Sequence, residues 1–166
     1  MVALPSYSVS ESLLSHYVSR LAPLEHRFLV SLFLLRIRSA RLVYICSAEP
    51  AASVVDSYLS LLPESLNASE RFRLVVVDDA TAQPVAAKLL RRPDLIAAIT
   101  EWIGDDPGFI EPGTVPEAEQ RLALDRGLPL CGSAPGAWPR GLKSAGGKLC
   151  RGAGIARAPG VGERTT

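Results

Sequence analysis

Apolar and polar positions along the chain alternate between two periods. Ser8-Val-Ser-Glu11 has capping-box spacing, and Leu13, Leu14, Tyr17, Val18 and Leu21 follow at helical intervals, so a first helix is predicted there. Pro23 is placed to open a second helix. The stretch from there to about Arg38 is apolar nearly all round, which predicts burial. Leu42-Val-Tyr-Ile-Cys46 is β-branched and aromatic and reads as the first clear strand. Val54, Val55, Tyr58, Leu59 and Leu62 then mark a helix that runs up to Pro63. Leu74-Val-Val-Val77 is continuous rather than alternating, the pattern of a parallel strand covered on both faces. Further helices are predicted from Pro84 to Leu90, from Pro93 through Trp102, and from Ala118 to Arg126. The last of these follows a second capping box, Thr114-Val-Pro-Glu117, and stops at Gly127. Phe109-Ile110 and Leu128-Pro-Leu-Cys131 read as short strands, and Lys143 to Ala153 as a helix stopped by Gly154.

Strands and helices in alternation predict an α/β fold, doubly wound and Rossmann-like, with a mostly parallel sheet and helices on both faces. Ligands in such folds sit beyond the carboxyl ends of the strands. The polar residues that fall there are Ser47-Ala-Glu49 and Asp78-Asp79, so Glu49 and Asp78 are the candidate substrate-binding residues. Each also has a purely structural reading, as an ordinary βα-loop residue or as the cap of a turn.

Composition divides the chain. Residues 1–126 carry 12 Lys+Arg against 16 Asp+Glu, whereas residues 127–166 carry 6 against one, Glu163. Ten of the 13 glycines also lie from Gly127 onward. The expected organisation is an α/β domain over 1–132 followed by a Gly-rich, basic segment over 133–166. A net charge of +1 argues against a nucleic-acid partner. The greasiest run, residues 28–35, is closed by Arg27 and Arg36, well short of the roughly 20 residues a membrane helix needs, so no membrane partner is expected. The opening residues lack the basic and apolar regions of a secretory signal. Three widely spaced cysteines form no disulfide framework, and a reducing cytoplasm is the expected compartment.

Familiar catalytic motifs are absent: there is no H-E-x-x-H, G-x-S-x-G or C-x-x-C. Gly152-Ala-Gly154 lacks the third glycine of a dinucleotide fingerprint and follows a helix rather than a strand. Gly136 to Ser144 misses the P-loop pattern by one inserted residue, Leu142.

The segment from Gly141 to Gly160 resembles the opening of an ATP-grasp domain. There a lysine starts a helix, an Ala-Gly pair ends it ten and eleven residues later, and a proline-containing exit follows. Lys143, Ala153, Gly154, Ile155, Pro159 and Gly160 keep that register. Upstream, Leu4-Pro-Ser, the strand from Leu42, Val55 to Pro63, Arg92-Pro-Asp-Leu, and Glu119 to Gly132 are similar to ligases of the pheganomycin peptide-ligase type. The resemblance implies a pre-ATP-grasp domain over 1–132, a linker and the truncated start of the grasp domain over 133–166, and Lys143 as the phosphate-facing lysine. It implies ATP and Mg²⁺ as cofactors and a small-molecule carboxylate and an amine or peptide as substrates, joined through an acyl phosphate. The second phosphate lysine, the adenine pocket and the magnesium ligands would then lie beyond Thr166, leaving this chain inactive alone or completed by a second polypeptide. The alternative is a stand-alone α/β binding module of the same descent. The segment departs from the family at Gly113-Thr-Val-Pro116 and in carrying Gly146, Gly147 and Gly152. Each glycine costs a helix about 1 kcal/mol relative to alanine, which predicts a helix unable to hold itself.

Overall fold

The computed structural model describes residues 1–6, 11–114, 117–132 and 143–156. The chain divides into two compact units, Met1–Gly132 and Ser133–Thr166.

The first unit is α/β, built on a four-stranded, all-parallel sheet in the order β3-β2-β1-β4, where β1 is Val2–Leu4, β2 Leu42–Cys46, β3 Phe72–Val76 and β4 Ile110–Pro112. The order is the signature of a doubly wound sheet: the chain steps outward twice from β1, then returns across it to add β4. Side chains alternate across the strands as the two-residue period requires. Val2, Leu4, Val43, Ile45 and Val75 face one core, whereas Ala3, Leu42, Tyr44 and Cys46 face the other. The first core is covered by α4 (Val85–Leu89), α5 (Pro93–Ile103) and α6 (Glu117–Arg126). The second is covered by the segment before β2 and by α3 (Ala52–Ser60).

The sequence reading is corrected at four places. Val2–Leu4 is a strand, and a central one, although three residues are too few to show a period. The first expected helix breaks: α1 (Glu11–His16) gives way to a 3₁₀ turn at Val18–Arg20, which rotates Tyr17 and Val18 into solvent while Leu14 and Leu21 stay buried. The next helix, α2 (Leu21–His26), begins two residues before Pro23, which sits in the first turn where its missing N–H costs nothing. The apolar run that follows is a 3₁₀ helix over Arg27–Arg36, and it is not buried all round. Leu29, Leu32 and Leu35, three apart, line its core side, while Val30, Leu34 and Ile37 are 53%, 41% and 57% exposed. Three residues per turn aligns one such row and no other.

Around β4, Leu130 makes a single parallel bridge to Ile110, so the expected last strand is reduced to one pair. Gly113 packs directly on the end of β1: a Cβ there would lie 2.8 Å from the Ser6 carbonyl oxygen. Thr114 Oγ1 donates to that same oxygen at 2.9 Å. Ser8, Val115 and Pro116, on which the two capping boxes depend, lie outside the described residues, as do residues 133–142 and 157–166.

Within the second unit, α7 (Lys143–Gly152) is formed despite its glycines. It closes with the Ile155 N–H on the Cys150 carbonyl at 2.8 Å and the Gly154 N–H on the Arg151 carbonyl at 3.3 Å, Gly154 standing at φ +68°. This Schellman pair satisfies carbonyls the helix end would otherwise leave open.

Candidate functional site

At the carboxyl edge of β2 and β3 the fold assembles a buried polar network. β2 ends at Cys46, and Ser47 continues it beneath α2 and α4. The Ser47 N–H donates to Glu25 Oε2 at 2.6 Å and its hydroxyl donates to Glu25 Oε1 at 2.7 Å. Lys88 Nζ donates to Ser47 Oγ and to the Asp79 carbonyl oxygen, each at 2.8 Å. Glu25, Ser47 and Lys88 are 1%, 3% and 1% exposed. Tyr44, in the middle of β2, donates its hydroxyl to the Glu25 carbonyl at 2.5 Å, and His26 Nε2 lies 3.0 Å from the Ala48 carbonyl. A carboxylate and an ammonium thus share one serine hydroxyl as bridge, which satisfies charges that could not be buried singly.

Burial sets the electrostatics of the pair. It raises the Glu25 carboxyl above its ordinary 4.5, against the opposing pull of the two Ser47 hydrogen bonds, the Lys88 ammonium and His26. It lowers the Lys88 ammonium below its ordinary 10.5, against the opposing pull of Glu25 and Asp79. The Cys46 thiol, buried beside Glu25 and Glu49, is pushed up to about 12 and is inert at neutral pH.

Above this network two loops meet. The Asp79 N–H donates to the Ser47 carbonyl at 3.1 Å, joining the loop after β3 to the loop after β2. Asp79 Oδ1 accepts from the Thr81 hydroxyl at 2.6 Å and from its N–H at 2.8 Å, while Oδ2 pairs with Arg91 at 3.1 Å. The Thr81 hydroxyl is the largest influence holding the Asp79 carboxyl below its usual range. Asp78 precedes it in the left-handed region at φ +57°, which turns its side chain out. Asp78 and Glu49 are both exposed, on neighbouring loops at this one edge. Lys143 opens α7 in the second unit, and its side chain lies outside the described residues.

Sequence reading located the edge and two of its exposed carboxylates but not Glu25 and Lys88, the charges that hold it. Glu25 stands in an apolar helix and Lys88 in a short one; a charged residue inside an apolar stretch was the available signal. The network fixes Ser47 beneath this edge, while Glu49 and Asp78 stand exposed above it.

Among the described residues no group of three or more His, Cys, Asp or Glu is arranged to hold a metal ion, and no helix is long and apolar enough to cross a membrane. The first turn of α7 carries no acidic side chain. No protein-family model matches the chain, and no curated protein or solved structure matches it either.

Proposed function

We propose that this chain is the N-terminal part of an ATP-dependent carboxylate–amine ligase, contributing the α/β domain and the first phosphate-facing helix. One observation carries the reading. The helix α7 spans Lys143–Gly152 and is capped at Gly154, the register in which the sequence resembles the opening of an ATP-grasp domain. The chemistry is transfer of the terminal phosphoryl group of ATP to a carboxylate, then attack by an amine with loss of phosphate. In this reading Lys143 supplies a compact positive charge to the phosphates at the positive end of α7. Glu49 and Asp78, exposed at the carboxyl edge, pair with a cationic amine substrate.

A second reading is a non-catalytic α/β binding module of the same descent. It is favoured by the two hydrophobic cores, which among the described residues are built within the first unit.

The two readings separate on ATP. A lone lysine at a helix start contributes about 1.5–3 kcal/mol to an anion, less than the cost of immobilising a ligand. The expected affinity of this chain for ATP with Mg²⁺ is therefore no better than about millimolar. Amide NMR on the full chain should show saturable shifts within residues 143–154, weakened about tenfold or more by Lys143→Ala. Shifts absent from that segment, or indifferent to the substitution, overturn the ligase reading; no ATP response anywhere is the outcome for a binding module.

A further inference from the structure

The face of the sheet beneath α5 and α6 is incompletely packed. A cavity of about 140 Å³ remains there, walled by Val2, Ile45, Ile96, Ile99, Leu122 and Leu128. Interiors hold few voids larger than a water molecule. An aliphatic void of about 150 Å³ stays dry and accepts a benzene-sized guest. The space therefore matches a branched aliphatic or phenyl side chain.

The polar lining is confined to one end. Thr100, Asp105, Asp106 and Arg126 line the cavity and are exposed, so they mark its mouth. Val2 and Ile110 begin their strands, and Arg126 ends α6, which puts the mouth at the amino edge of the sheet. That is the edge opposite Glu25, Ser47 and Lys88. Asp106 is already engaged by Arg41 Nη1 at 2.8 Å, and Arg41 is itself stacked 3.9 Å from the centre of the Trp102 ring. Arg126 and Asp105 are not so engaged. Among the described residues, Arg126 reaches only Thr100 Oγ1, at 3.4 Å, and neither group forms an ion pair. The C-terminal end of α5, next to Asp105, adds a preference for positive charge.

One uncommitted guanidinium and one uncommitted carboxylate at the mouth of an apolar cavity are complementary to one kind of small molecule. We propose that this cavity binds a free α-amino acid with an apolar side chain. The side chain fills the space beneath α5 and α6, the carboxylate meets Arg126, and the ammonium meets Asp105. The inference uses neither Lys143 nor the ligase reading.

Methyl and amide NMR on the full chain, titrated with L-leucine and with L-phenylalanine, tests it. Saturable shifts are expected at Ile96, Ile99 and Leu122. Isovalerate, which lacks the ammonium, and isoamylamine, which lacks the carboxylate, should each bind about tenfold more weakly or worse. Arg126→Gln should weaken leucine by a similar factor. Leu128→Phe, which fills the cavity, should abolish it, and Ile103→Phe serves if the first variant does not fold. Absence of shifts with either amino acid at millimolar concentration overturns the site. Equal binding of isovalerate, or indifference to Arg126→Gln, overturns the zwitterion assignment.

Discussion

At the scale of single residues, the fold depends on a few charged groups satisfied far from their neighbours in sequence. Arg71 is one: its guanidinium donates to the carbonyls of Leu35, Ile37, Ala40 and Leu66 at 2.6–3.1 Å, closing the end of the 3₁₀ segment before β2. A lysine cannot reproduce this, because its three donors radiate from one atom. Glu25 is another, and its titration is measurable. Unfolded it titrates near 4.5; folded, burial keeps its proton to higher pH. The folded state binds the extra proton between those values, so stability falls as pH rises across that window. Glu25→Gln removes this component. The advantage of wild type over the variant, measured by urea unfolding, should shrink as pH climbs above 4.5, by at most about 1.4 kcal/mol per pH unit. Parallel stability curves would show that Glu25 stays ionised throughout.

Elements are decided by their ends as much as by their apolar stripes. The close of α6 is a second Schellman pair: the Leu128 N–H reaches the Ala123 carbonyl at 3.0 Å and the Gly127 N–H reaches Leu124 at 3.2 Å. Gly127 stands at φ +63° with open space where a Cβ would project. Substitution there meets backbone strain alone, so Gly127→Ala should cost about 1 kcal/mol in denaturant unfolding, with the slope unchanged. Gly127→Asn should cost less, because asparagine tolerates the left-handed region. The opposite defect is between α5 and α6, where a solvent-open cleft of about 140 Å³ leaves apolar side chains without packing partners. An element pair left that loose is consistent with a guest that completes it.

For the molecule as a whole, direction of travel along the sheet explains the layering. Moving from β1 to β2 to β3 keeps the crossover segments on one face; returning past β1 to β4 puts α4 and α5 on the other. Among the described residues, every buried member of the two cores belongs to Met1–Gly132. A fragment of residues 1–132 should therefore unfold cooperatively on heating, with the circular dichroism of an α/β protein. A broad, non-cooperative transition would mean that residues beyond Gly132 complete the core.

Local pattern by itself determined most elements and the class of fold. β2 reads directly from Leu42 to Cys46 because both its faces are apolar, and α5 reads from Pro93 because proline, period and length agree. The stops at Gly127 and Gly154 were legible because a left-handed cap demands a residue type. Local pattern also placed Glu49 and Asp78 at the carboxyl edge, since the position after a parallel strand follows from the fold class. Tertiary structure alone decided the rest. Val2–Leu4 becomes a central strand only because β2 and β4 bring partners to both its sides. The exposed row of the 3₁₀ segment depends on which residues the sheet has room to cover. Glu25, Ser47 and Lys88 are 22 and 41 positions apart along the chain, and no local period links them. Their meeting is a consequence of burial: two opposite charges carried into a low-dielectric interior must find each other, or a hydroxyl between them.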